Sequence, residues 1–174
     1  MKKIKLSLLG IALVVLTLVG CKEETTTTPT GPTKTIVQLA QANPNLTILV
    51  QAVVKAGYVD LLNGTDQYTV FAPTDAAFAN LLTELSIPSL DSIPVPLLQS
   101  VLQYHVVSGK VLSSSLTNNQ VVSPLLTGAT FTINLTGGAK ITDANARVAN
   151  ITATDIEATN GVVHVIDKVI LPPL

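Results

Sequence analysis

Through the first half of the domain-sized part of this chain, apolar residues recur at helical spacing; in the second half they alternate. Thr35 with Gln38 reads as a capping box opening a short helix. Next, Asn43-Pro44 offers a cap and a first-turn proline. Leu46, Leu49, Val50 and Val53 fall on one helical face, and Gly57 suits the stop. "YTVFAP", residues 68–73, is a strand-like run ended by proline. Thr74 can cap the helix that follows, with Asp75 in its first turn opposing the positive dipole end. Phe78, Leu81, Leu82 and Leu85 give that helix an apolar stripe. Another helix follows Pro94 and Pro96, with Leu97, Leu98, Val101 and Leu102 facing inward. Beyond about residue 104 the helical spacing disappears, and short runs of Val, Ile and Thr alternate between Gly, Asn and Asp. "ATFTINLT" and "RVANITAT" alternate as half-buried strands do, whereas "GVVHVID" is apolar on both faces and reads as an interior strand. Helices cluster first and strands later, so the predicted class is α+β.

The start of the chain follows neither pattern. Lys2, Lys3 and Lys5 precede an uncharged run from Leu6 to Val19. A spanning helix needs ~20 apolar residues, so this run is short for a permanent anchor and matches a secretory signal. It ends in "LVGC", which has the form of a bacterial lipobox: branched residues, a small Gly20 before the cut, then Cys21. Cys21 is the single cysteine, and its thiol is the nucleophile that would receive the lipid. With Cys21 acylated, the mature chain has no free thiol and no disulfide, which excludes cysteine catalysis and thiolate metal sites. The polar, Thr- and Pro-rich "KEETTTTPTGPTK" then reads as a tether that buries too little to fold. The expected division is a signal peptide over 1–20, a lipidated cysteine and tether over 21–34, and one domain over 35–174. Lys22-Glu23-Glu24 resembles a surface-export signal, and Lys22 stands where some lipoproteins carry a retaining aspartate. Both point outward, to the outer membrane or the cell surface.

Charge and composition remove several functions. Seven of the ten Lys and Arg lie beyond residue 20, with all eleven Asp and Glu, leaving the mature chain at −4. There is no basic stripe, and aromatic residues make up only 3%, so nucleic-acid binding lacks both charge and stacking partners. "SSSL", residues 113–116, has no elbow glycines around it and reads as a loop. "LTGG" lacks the lysine-threonine ending of a phosphate loop and reads as a hairpin turn. Two histidines, His105 and His164, are thin material for a metal site. The sequence therefore implies no cofactor, no metal and no catalytic residue.

Three segments carry a resemblance. "TVFAPTDAAF" (69–78), "LQYHVVSGKV" (102–111) and "TDIEATNGVVHVIDKVILP" (154–172) are similar, in order and spacing, to the signature segments of the fasciclin-like domain. The resemblance runs from about Thr35 to Pro173. It implies a wedge-shaped β-sandwich core with helices packed along an edge, and an adhesion or matrix module without catalysis. It also implies that Thr74, Asp75, Asn160, Gly161, His164 and Asp167 are structural signature residues, the two aspartates bracing turns. Tyr104-His105 resembles a "YH" motif credited with integrin binding in animal relatives, and is at once a candidate adhesion motif and a candidate packing element. With one such domain expected rather than a tandem array, this chain would lose avidity from repetition unless many copies share a membrane.

Two functions follow as expectations. One is a membrane-anchored module that binds a protein or polysaccharide at the cell surface. The other is an accessory protein of the cell envelope whose partner is another envelope protein. Neither the ligand nor the oligomeric state is legible in the sequence.

Overall fold

The structure, a computed structural model, describes residues 31–173. The expected signal peptide, Cys21 and most of the expected tether lie outside the described residues.

The helices form where the spacing places them, with differences at their ends. Helix α1 (Ile36–Ala42) opens on the expected capping box: Thr35 Oγ1 accepts from Gln38 N–H, and Gln38 Oε1 accepts from Thr35 N–H. Helix α2 spans Thr47–Ala56 and stops at Gly57, whose φ of 76° is left-handed. It begins three residues later than Pro44, because Asn43 is used otherwise. Asn43 Oδ1 accepts from Asn45 N–H, and Asn43 N–H closes α1 on the Ala40 carbonyl. A short α3 (Val59–Asn63) follows, which the periodicity did not single out. Helix α4 (Asp75–Glu84) is capped by Thr74 as expected. It ends before Leu85, which is exposed rather than part of the buried stripe. Helix α5 (Val95–Tyr104) buries Leu98, Val101 and Leu102 but leaves Leu97 exposed, a correction to the inward face predicted for it. The Ser113–Ser115 stretch is a single 3-10 turn rather than an irregular loop.

Seven strands form one hydrogen-bonded sheet in the order β2-β1-β7-β6-β5-β4-β3. They are β1 (Tyr68–Pro73), β2 (Val106–Ser108), β3 (Gln120–Val122), β4 (Phe131–Asn134), β5 (Lys140–Thr142), β6 (Val148–Ala158) and β7 (Gly161–Ile166). All pairs are antiparallel except β1 with β7, which run parallel in the register Phe71↔His164. Strand β7 is therefore interior, and every one of its residues is buried. Strand β6 is the hinge of the architecture. Val148–Asn150 pair with β5 and the rest pairs with β7, across irregularities between Ile151, Ala153 and Ile156. Bulges of this kind bend and twist a strand. Along a flat sheet, β1 and β4 would lie four strand spacings apart, roughly 19 Å. Instead the rings of Phe71 and Phe131 meet edge-to-face with centroids 5.4 Å apart. The sheet has folded over on itself, and the two halves enclose a core.

This gives two apolar clusters. One lies between the helices and the outer faces of β1 and β7, around Leu49, Val53, Phe78, Leu98 and Val163. The other lies inside the folded sheet, around Phe71, Tyr104, Phe131, Ile133, Ile141 and Ile166. The α+β class and the sandwich with helices against it match the sequence reading.

Candidate functional site

Tyr104 and His105 sit where α5 turns into β2, and both point inward, with 0% and 2% of their surface exposed. The Tyr104 hydroxyl donates to the Thr130 carbonyl at 2.6 Å and accepts from Ala144 N–H at 3.1 Å. Its ring stands edge-on to Phe131, and burial raises its pKa. His105 Nδ1 lies 2.7 Å from the Val101 carbonyl, which can only accept, so Nδ1 carries the proton. Nε2 is then free to accept from Ile170 N–H at 3.2 Å. Burial in this apolar corner lowers the imidazole pKa to about 4, against the opposing pull of the Val101 carbonyl.

His105 does not hold the C-terminal segment alone. Asp143, also buried, accepts from Asn145 and Arg147 N–H through Oδ1 and from Leu171 N–H through Oδ2, each at 2.9 Å. Asn145 Nδ2 donates to the carbonyls of Leu171 and Pro172. Residues 170–172 are thus strapped down by His105, Asp143 and Asn145, two of which the sequence reading did not single out. The available signal was an Asp opening a five-residue connection between strands, the usual start of an Asx turn.

His164 is fully buried and stacks on Phe71, centroids 5.4 Å apart. Its Nε2 donates to the Val111 carbonyl at 3.0 Å, so Nδ1 is the acceptor, taking Asp155 N–H at 3.3 Å. Asp155 has a left-handed φ of 57° at the irregular part of β6. That turn aims its carboxylate at Ser113, whose N–H and hydroxyl both donate to it. The Ser113 hydroxyl bond depresses the Asp155 pKa, chiefly. Serine, aspartate and histidine are thus gathered here by the fold, though far apart in sequence. They are not wired for nucleophilic catalysis. In a working triad the imidazole takes the serine proton and the carboxylate orients the imidazole. Here the serine donates to the aspartate, and the imidazole hydrogen-bonds only to backbone.

The remaining signature residues brace junctions. Asn160 Oδ1 accepts from Ile36 N–H, and its Nδ2 donates to the Leu62 and Gly64 carbonyls, joining α1 and α3 to the β6–β7 turn. Gly161 has φ +146°, and a Cβ there would stand 1.8 Å from the Tyr68 carbonyl oxygen. Asp75 lies in the first turn of α4, as expected, but its carboxylate reaches across to Ile48 N–H at 2.8 Å. It supplies the N-terminal cap that Leu46 cannot give to α2. Asp167 accepts from Asn150 N–H and Nδ2, each at 2.7 Å, pinning the start of β6. Among the described residues, no group of three or more His, Cys, Asp and Glu gathers to hold a metal, and no helix is long and apolar enough to cross a membrane.

Against known proteins, the family model of the Fasciclin domain matches residues 44–172. Protein sll1483 of Synechocystis sp. is 35% identical over 181 residues, covering 97% of this chain and 94% of that protein. Immunogenic protein MPB70 of Mycobacterium bovis is 32% identical over 168 residues, covering 88% of this chain and 81% of its own length. Cell surface glycolipoprotein MPB83 of the same species is also 32% identical over 168 residues, covering 88% and 71%. Among solved structures, a FAS1 domain pair from the insect cell adhesion molecule Fasciclin I aligns at a TM-score of 0.65 and 20% identity. It covers 82% of this chain and 51% of that one, so the chain spans about half of the pair.

Proposed function

This chain belongs to the Fasciclin domain family, and from that premise we propose that it is a non-catalytic adhesion module, held outside the cytoplasm by a lipid on Cys21. The observation that carries the proposal is the order of its parts. A lipobox at residues 18–21 is followed by a polar tether and then by a family-matched fold over 44–172. A relative 32% identical over 168 residues is named a cell surface glycolipoprotein, which supports an extracytoplasmic place for this chain as well. The side-chain chemistry is consistent with binding rather than turnover. Both histidines are buried and hydrogen-bonded to backbone, so neither is presented to a ligand. The ligand is a protein or polysaccharide at the cell surface.

One acyl chain holds a protein only marginally, while the two or three chains of a lipoprotein cysteine anchor it stably. Cys21→Ser should therefore move the protein from the membrane to the soluble fraction, and surface labelling of intact cells should reach the wild type. A Cys21→Ser protein that stays in the membrane overturns the anchor. Wild type protected from surface labelling favours the accessory envelope role instead.

A further inference from the structure

The two edges of the folded sheet, β2 and β3, lie either side of an open seam. The segment after β3 closes part of it, with Leu125 N–H donating to the Val106 carbonyl at 2.8 Å. Beside that closure a cavity of ≈ 190 Å³ remains. Phe71, Val107, Val111, Leu116 and Val122 line it, together with the half-buried Gln120. We infer that this cavity is a binding site for a compact, uncharged aromatic ring carrying one hydrogen-bond acceptor.

Size sets the first condition. An apolar cavity of ~150 Å³ is enough to take up benzene, whereas drug-sized ligands need ~300–1,000 Å³. The apolar cleft between α1, α2, α3 and α5 encloses only ≈ 30 Å³, too little for a ring. Charge sets the second condition. No residue lining the seam cavity is charged, so an ion entering it would lose its hydration without a partner. Polarity sets the third. Thr69, also in the lining, has its hydroxyl engaged, donating to the Gly109 carbonyl at 2.7 Å and accepting from Val111 N–H at 2.9 Å. Gln120 Oε1 accepts from Thr117 N–H at 2.9 Å, while its Nε2 has no partner among the described residues. Gln120 Nε2 and the hydroxyl of Ser123, which also lines the cavity, are thus the side-chain donors left to meet a ligand beside an otherwise apolar lining. The lining is also preorganised, which lowers the ordering cost of binding. Phe71 is held between two strands and stacked on His164. The turn leading to Leu116 is tied to β6 through Ser113 and Asp155. This inference is independent of the adhesive role.

The test is a methyl NMR titration of the full chain with benzyl alcohol, toluene and benzoate. Benzyl alcohol should produce saturable shifts at Val107, Val111, Leu116 and Val122, with benzoate at least about tenfold weaker. Val122→Phe should fill the cavity and weaken benzyl alcohol by at least about tenfold, because an edge strand accepts an aromatic residue readily. Gln120→Leu should leave toluene binding unchanged and remove the preference for benzyl alcohol over it. Absence of saturable shifts, shifts centred on Val50 and Val54 instead, or benzoate binding as tightly as benzyl alcohol would each overturn the inference. If Val122→Phe does not fold, the comparison of the three probes on the wild type and on Gln120→Leu decides.

Discussion

Tyr104 is the residue at which adhesive and architectural roles lead to opposite results. Tyr104→Phe keeps the ring against Phe131 and removes only the hydroxyl, breaking its bonds to the Thr130 carbonyl and Ala144 N–H. Each such bond is worth about 1 kcal/mol net. Thr130 and Ala144 are themselves exposed residues, so water can replace part of what is lost, and the expected cost is about 1–2 kcal/mol. Tyr104→Ala also empties a fully buried site between α5 and the folded sheet, at about 3–5 kcal/mol. For a domain of this size 1 kcal/mol moves the melting midpoint by about 4 °C. Circular dichroism melts at pH 7 should therefore fall by about 4–8 °C for the Phe variant and about 12–20 °C for the Ala variant. Urea titrations should show an unchanged slope, meaning that stability and not compactness has changed. If both variants melt within about 2 °C of wild type while binding to cells or matrix is lost, the packing role is wrong and the side chain is a contact residue.

His105 makes stability depend on pH. Its folded pKa of about 4 lies below the ordinary 6.5, so between those values the unfolded chain binds a proton that the folded chain does not. Stability is complete above about pH 6.5 and falls as pH drops toward 4, by roughly 3 kcal/mol in all; below that it is flat for this group. Urea midpoints across that range should show the slope in wild type and lose His105's share of it in His105→Gln, and identical slopes would refute the assignment. Gly161→Ala should be among the most damaging single-methyl changes in the protein. The added Cβ meets backbone, not a movable side chain, at a left-handed φ, so about 3 kcal/mol or more is expected. An unchanged urea midpoint for this variant would contradict the close approach of β7 to Tyr68.

Much of the fold was legible in local pattern. The Thr35–Gln38 capping box, the Thr74 cap and the stop at Gly57 involve groups within four residues of each other, so the chemistry that closes them is written contiguously. The interior place of β7 followed from apolar residues on both its faces. The partners were not legible. Burial is non-directional, so an apolar stripe says that a face is covered without saying by what. Only the tertiary structure pairs β1 with β7 in parallel across some ninety residues of chain and folds β6 so that Phe71 meets Phe131. It likewise sends Asp75 to cap a helix other than its own. The histidines divide along the same line. Their apolar neighbours in sequence implied burial, but most of the groups that complete their hydrogen bonds come from elsewhere in the chain: Ile170 for His105, beside its local Val101 carbonyl, and Val111 and Asp155 for His164. The seam cavity belongs wholly to the tertiary level, because its lining comes from four separate segments that strand pairing and the folding of the sheet bring together.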